Sequence, residues 1–320
     1  MHKDMHKHLD KVHQIKTEKN MTCNELVNQM DKSGVMGAGT IAKAADIMEH
    51  MIKDRKCTVF LGLAGAMVPG GQKQIIIDML KDGWVDVIVT TGANLTHDLV
   101  EALGYHHYQG THMISDEELN KIRVDRIYDA FMPDKVYEGL EKFCKKTFAL
   151  MPKEKMNIKE FLWHLGKEVP YENSILKICA DKKIPIFCPA LSDSGIGLQV
   201  WSYMQENKID VSAFDDLKDM IDITWTSETN GVLYIGGGVP KNYIQQALQF
   251  APTAASYAIQ ITTDTPESGG SSGAELREGI SWGKLDKKAK YVNVTCDATI
   301  ALPLLSAAIK ERLEKYKNQK

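Results

Sequence analysis

Lys284 stands in the run Glu278-Gly279-Ile280-Ser281-Trp282-Gly283-Lys284, a little after a loop rich in Gly and Ser, Ser268-Gly269-Gly270-Ser271-Ser272-Gly273. A lysine beside an indole, with a carboxylate six residues upstream, suits amine chemistry through a Schiff base. The ammonium has to lose its proton before it attacks a carbonyl or imine carbon, and an apolar wall disfavours the charged form. A solvated lysine after a turn has the same local sequence, and most lysines are solvated. The rest of the chain decides between the two.

Histidines are the next candidates. His97 lies in Thr90-Thr91-Gly92-Ala93-Asn94-Leu95-Thr96-His97-Asp98, at a strand end that opens a helix, where a ligand is approached. His106, His107 and His112 fit ligands or bases, but surface or loop-packing roles are the commoner outcome for such histidines. His2, His6, His8 and His13 fall in a polar, basic stretch, residues 1–20, that reads as a solvated N-terminal helix or extension. Cys23, Cys57, Cys144, Cys179, Cys188 and Cys296 are scattered, without the spacing of a disulfide framework or a zinc site, so no metal is expected.

These residues need elements to hold them. Ile41–Lys53 reads as an amphipathic helix, followed by a short buried strand, Cys57–Leu61, a turn with glycines at 62, 65, 70 and 71, and a helix over about 72–82. Val85–Thr91 is a second apolar strand, which completes a βαβ unit. Further strands are expected at Ile184–Pro189, Gly231–Ile235, Tyr257–Thr262 and Tyr291–Cys296, with helices between. Continuous apolar strands spaced by helices predict a doubly wound α/β fold, a mostly parallel Rossmann-like sheet with helices on both faces. Residues 21–320 form one domain in this reading, with 111–168 as a charged, helical insertion. Ligands of such sheets gather beyond the carboxyl ends of the strands, where Gly65–Gly71, Thr91–His97, Pro189–Gly197, Gly236–Lys241, Thr263–Gly273 and Asp297 fall.

Two glycine motifs compete for a nucleotide. Gly37-Ala38-Gly39-Thr40-Ile41-Ala42 has dinucleotide spacing but no strand before it, so a helix start is the better reading. The Gly65–Gly71 turn does follow a strand and open a helix, where backbone N–H groups can face a pyrophosphate.

With 320 residues, 43% of them apolar and a net charge of −3, the chain has ample core and offers no electrostatic case for nucleic acid or anionic membrane. No run approaches a membrane span, and the first residues lack the apolar centre of a secretory signal. A cytoplasmic protein is the expectation.

Taken in order, Phe60-Leu61-Gly62, Val85–Thr91, Pro189-Ala190-Leu191-Ser192-Asp193, Gly236-Gly237-Gly238-Val239-Pro240-Lys241, Ser281-Trp282-Gly283-Lys284 and Asp297-Ala298 resemble deoxyhypusine synthase and its bacterial and archaeal relatives over about residues 30–310. The resemblance implies an NAD-dependent aminoalkyl transferase, a homotetramer (a dimer of dimers) whose active sites lie between paired subunits. Lys284 matches the lysine that captures the butyl portion of a polyamine such as spermidine, and Trp282 the indole lining the amine channel; Glu278 would meet a substrate ammonium. Gly65, Ala66, Met67, Val68, Pro69, Thr91, Gly92, Ala93, Asp193, Gly238, Thr263, Asp264, Asp297 and Ala298 would contact NAD, and Gly269, Ser271, His97 and Tyr243 the substrate.

The departures are specific. The family usually has Ser-Asn at Gly65-Ala66, two glutamates at Thr96-His97, aspartates at Leu198 and Ser271, and a histidine at Tyr243. Charged contacts to a polyamine contribute about 1.5–3 kcal/mol each, so losing several points to an altered amine pocket. The implied activity is small-amine transfer by a divergent branch. The alternatives are modification of a protein lysine on the hypusine-bearing translation factor, homospermidine-type synthesis, and a non-catalytic NAD-binding homologue.

Overall fold

The computed structural model describes residues 10–317. Six strands make the central sheet: β1 (Cys57–Leu63), β2 (Val87–Thr90), β7 (Ile186–Phe187), β9 (Thr229–Ile235), β10 (Ala255–Thr262) and β11 (Leu285–Thr295). Every neighbouring pair is parallel, in the order β11-β10-β9-β1-β2-β7. Three short strands, β3 (Tyr108–Gln109), β4 (Val124–Ile127) and β5 (Ala130–Pro133), form a separate antiparallel sheet. A third pairing joins β6 (Met156–Asn157) to β8 (Val211–Ser212).

Side-chain alternation along the strands divides the core. Val59, Leu61 and Leu63 of β1, with Leu233 and Ile235 of β9, enter one apolar cluster, while Phe60, Val232 and Tyr234 enter another on the opposite face. The helices Met36–Lys53 and Ala298–Lys317 cover the first face, through residues such as Met48, Met51, Leu302 and Ile309. Met220 of the helix Ala213–Thr226 and Ile244 and Leu248 of Gly238–Phe250 cover the second. Both faces are dry, which is why the strands read as continuous apolar runs.

The strand order fixes where a ligand can bind. From β1 the chain builds outward to β2 and β7, then crosses to the other side for β9, β10 and β11. That reversal places a crevice at the carboxyl ends of β1 and β9. Their ends are flush, with Leu63 opposite Ile235, so the turns that follow face each other.

Two expectations are corrected, and the helix start expected at Gly37–Ala42 is found. Among the described residues, 10–20 carry no helix; the first one, Cys23–Ser33, starts at a capping box in which Glu25 N–H donates to the Thr22 hydroxyl at 3.1 Å and Thr22 N–H to the Glu25 carboxylate at 2.7 Å. A lysine- and histidine-rich run without an apolar stripe has nothing to dock a helix; His2, His6 and His8 lie outside the described residues. The stretch 111–168 is not simply helical, because β4 and β5 stand in it. Nor is it set apart, since Phe148, Phe161, Leu162 and Leu165 are buried in the main core. Gly37–Ala42 lies inside the helix Met36–Lys53, and Gly39 lets that helix close over Gly34, where a Cβ would sit 2.6 Å from the backbone.

One turn is unusual. β4 and β5 pair Ile127 with Ala130, leaving Tyr128-Asp129 as a two-residue hairpin turn with Tyr128 at φ +56°. A left-handed backbone costs a residue of this size about 1–2 kcal/mol.

Candidate active site

The single-turn helix Glu278–Ser281 ends at Gly283, whose φ of +70° turns the chain into β11 and sets Lys284 at the foot of that strand. Lys284 N–H donates to Gly279 O at 2.8 Å, and its carbonyl accepts from Ala255 N–H at 3.2 Å. With its backbone held on both sides, the side chain brings Nζ to 4.9 Å from the centroid of the Trp282 ring, within cation–π range. Trp282 remains 56% exposed and forms part of the wall of a cleft of about 480 Å³ with Glu275, Glu278, Gly269, Ser271 and Asn242. The cleft therefore combines a lysine amine, an indole face and two carboxylates.

Lys241 lines the same cleft, and sequence reasoning gave it no role. It is 1% exposed, donating to Gln260 Oε1 at 2.8 Å and to Ala274 O at 2.6 Å. Burial pulls its ammonium down to about 8; Glu278 opposes the shift and Lys284 adds to it. Its signal in the sequence was a charged residue at the start of a helix that otherwise had to be half-buried.

A second cavity, of about 530 Å³, opens where the topology reverses. Gly65, Ala66, Met67 and Pro69 line it from the turn after β1, Gly238 from that after β9, Thr263 and Asp264 from that after β10, and Asp297 and Ala298 from that after β11. The helix Gly238–Phe250 starts there without a side-chain cap, and its N-cap Gly237 sits so close to Ser272 that a Cβ would come within 2.3 Å of Ser272 Cα. Free N–H groups at a helix start and a glycine-lined approach fit a pyrophosphate. Asp129, Asp264 and Asp297 are its carboxylates, and among the described residues neither Lys nor Arg lines it. That donor set fits ribose hydroxyls.

Other candidates stand elsewhere. Val68 is buried in the core. Thr91 caps the helix Gly92–Ala102, accepting from Asn94 N–H at 3.3 Å, and Gly92 packs against Ser194. Thr91, Gly92, Ala93 and Asp193 thus belong to the carboxyl ends of β2 and β7, next to the cavity but outside its lining.

The fold has a solved counterpart in a candidate deoxyhypusine synthase from Entamoeba histolytica, with a TM-score of 0.62 at 18% identity over 90% of this chain and 93% of that one. The family model for deoxyhypusine synthase matches residues 25–309. The chain belongs to the deoxyhypusine synthase family. Its relatives include the probable deoxyhypusine synthase of Methanosarcina thermophila, 47% identical over 92% of this chain and 93% of that protein. Probable deoxyhypusine synthase 1 of Archaeoglobus fulgidus is 41% identical over 92% of this chain and 96% of its own length.

Against the deoxyhypusine synthase pattern, the altered positions have structural roles of their own. The Ser271 hydroxyl donates to Gly238 O at 3.2 Å, and Leu198 is exposed on the helix Gly195–Tyr203. Thr96 knits two helix starts together, donating to Gly92 O at 2.9 Å and accepting from Ile196 N–H at 3.2 Å. Tyr243 lies outside the lysine cleft, its ring 6.2 Å from that of Phe187, and burial raises its phenol well above the usual range.

His97 also turns away from both cavities' linings. Its Nδ1 is 2.9 Å from His107 Nε2, and His107 Nδ1 is 2.9 Å from Glu101 Oε1, which in turn shares its carboxylate with Lys73. With the carboxylate accepting from His107 Nδ1–H, His107 Nε2 accepts from His97 Nδ1–H, and His97 Nε2 keeps its lone pair. Burial, helped by His107, holds His97 down to about 4.

Proposed function

We propose that this protein is an NAD-dependent transferase that moves an aminoalkyl (aminobutyl) group from a polyamine-type donor to an amine acceptor through an imine on Lys284. The observation that carries the reading is Lys284 Nζ over the Trp282 indole in a cleft with two glutamates, beside a separate glycine-lined cavity at the switch point. NAD fits that second cavity: the uncapped helix start at Gly238 would hold its pyrophosphate, and Asp264 and Asp297 its ribose hydroxyls. The chemistry such a cofactor supplies is hydride exchange at the carbon bearing the amine.

The chain's own groups do the rest. Glu278 and Glu275 hold the donor's ammonium ends by charge. Lys284, deprotonated, attacks the carbon of the oxidised donor's C=N bond, and the departing amine carries away the proton. The acceptor amine then displaces Lys284 from the same carbon, which restores the free lysine and leaves the acceptor as an imine. Return to that carbon of the hydride first taken from the donor, which bound NAD would supply, gives the aminoalkylated acceptor. Trp282 keeps water from the imine by covering one side of the nucleophile.

In a single chain no described residue lines both cavities. We therefore read the working unit as a homotetramer, a dimer of dimers, in which one subunit's Lys284 meets its partner's cofactor cavity. A protein lysine as acceptor is the second reading, favoured by the names of the relatives and by an open cleft with Trp282 and Phe250 exposed at its edge.

The test is chemical trapping. The protein is incubated with NAD and spermidine, putrescine or agmatine, reduced with borohydride, and mapped by mass spectrometry beside Lys284→Ala. Alkylation confined to Lys284 supports the reading and names the donor. NAD binding with no adduct from any amine would leave a non-catalytic homologue.

A further inference from the structure

We propose that Tyr128, backed by His112, is a stacking platform for the adenine ring of the dinucleotide; this rests on the cofactor reading above. Tyr128 lines the glycine-rich cavity from the β4–β5 turn and is the one aromatic ring among the described residues that do so. Its ring lies on that of His112, with centroids 5.0 Å apart and planes 10° from parallel. One face of the phenol ring is thereby supported, and the residue is still 65% exposed.

Neither the backbone nor the core accounts for a tyrosine at this place. A two-residue hairpin turn with φ of +56° is ordinarily filled by Asn or Gly, and a bulky residue there is an outlier that calls for a reason. Burial is not the reason, given the exposure. Strained positions of this kind collect at ligand clamps. A flat ring held parallel to a second ring, at the wall of a cavity otherwise lined by glycines, small and aliphatic side chains and carboxylates, is suited to a planar base.

Adenine is the base that fits. The nicotinamide ring has to keep its reacting face open to an amine near a lysine, and the platform carries neither a lysine nor a glutamate. Adenine has no reacting atom, and its fused rings stack well whatever their edges meet.

Calorimetric titration of the full chain tests this, with NAD and with ADP-ribose. Tyr128→Gly should weaken both by about tenfold, the order of one lost base–aromatic stack, while its melting temperature stays at or above that of the wild type because the turn is relaxed. Tyr128→Phe should bind both ligands like the wild type. Unchanged NAD affinity in Tyr128→Gly overturns the platform, as does a Tyr128→Phe variant as weak as Tyr128→Gly. Weakened NAD with undiminished ADP-ribose would place the ring under nicotinamide and overturn the adenine assignment. A wild-type chain that binds neither ligand overturns the cofactor reading itself, which is a separate failure.

Discussion

Lys241 Nζ donates to Gln260 Oε1 at 2.8 Å, and this bond joins the lysine cleft to the wall of the glycine-lined cavity. The Gln260 amide passes the connection on, donating to Gly236 O at 3.0 Å and to Ser272 O at 2.8 Å. Lys241→Met leaves Gln260 Oε1 and Ala274 O without their donor in a dry setting, so urea unfolding should show a loss of about 1–3 kcal/mol. Gln260→Leu should cost a similar amount, and the double variant clearly less than the sum, because both remove one network. Strictly additive losses would mean the bond carries little.

Cofactor choice follows from the charges in the cavity. Asp129, Asp264 and Asp297 line it, with no Lys or Arg among the described residues. A 2′-phosphate has no cation to meet there and carboxylates to avoid, whereas ribose hydroxyls are well served. NADP should bind at least about tenfold more weakly than NAD, the preference expected of a carboxylate-lined ribose site. Equal affinities by calorimetry would contradict this account of the carboxylates.

Separation of the two cavities within one chain makes a complementation experiment decisive. Lys284→Ala keeps the cavity, and Ala66→Trp fills it while keeping the lysine. Each alone should be inactive in amine transfer. Co-expressed, they should recover part of the wild-type rate if a site takes its lysine from one subunit and its cofactor cavity from another. Continued inactivity of a verified mixed oligomer would place both halves of the site in the same chain.

A pH signature belongs to His97. Its folded value is pushed down to about 4 from an ordinary value of 6.5. Between those limits the unfolded chain takes up a proton at His97 that the folded chain does not, so stability falls as pH drops through this window and is restored above it. Melting temperature measured from pH 7 to pH 4.5 should fall less steeply in His97→Gln than in the wild type. Parallel curves would show that the histidine chain does not impose this linkage.

The fold was legible because both faces of the sheet are buried. Val59-Phe60-Leu61 of β1 and Val232-Leu233-Tyr234-Ile235 of β9 are unbroken apolar runs, and each strand is followed by glycines that mark the ligand side. The hairpin at Ile127–Ala130 was missed because its strands are short and half-exposed, and Arg126, Asp125 and Asp129 hide their alternation. Residues 10–20 misled in the opposite sense, since helical spacing of polar residues says nothing when there is no apolar stripe to bury.

By itself the sequence determined the class of fold, the lysine–tryptophan–glutamate set and the family, because strand hydrophobicity and close motif spacing are properties of neighbouring residues. Only the tertiary structure decided which distant groups meet. It buried Lys241 against Gln260, paired His97 with His107 rather than with either cavity, and stacked Tyr128 on His112 at the wall of the cavity. Such contacts depend on strand order and on how turns from separate strands converge, and neither is written in the spacing of residues along the chain.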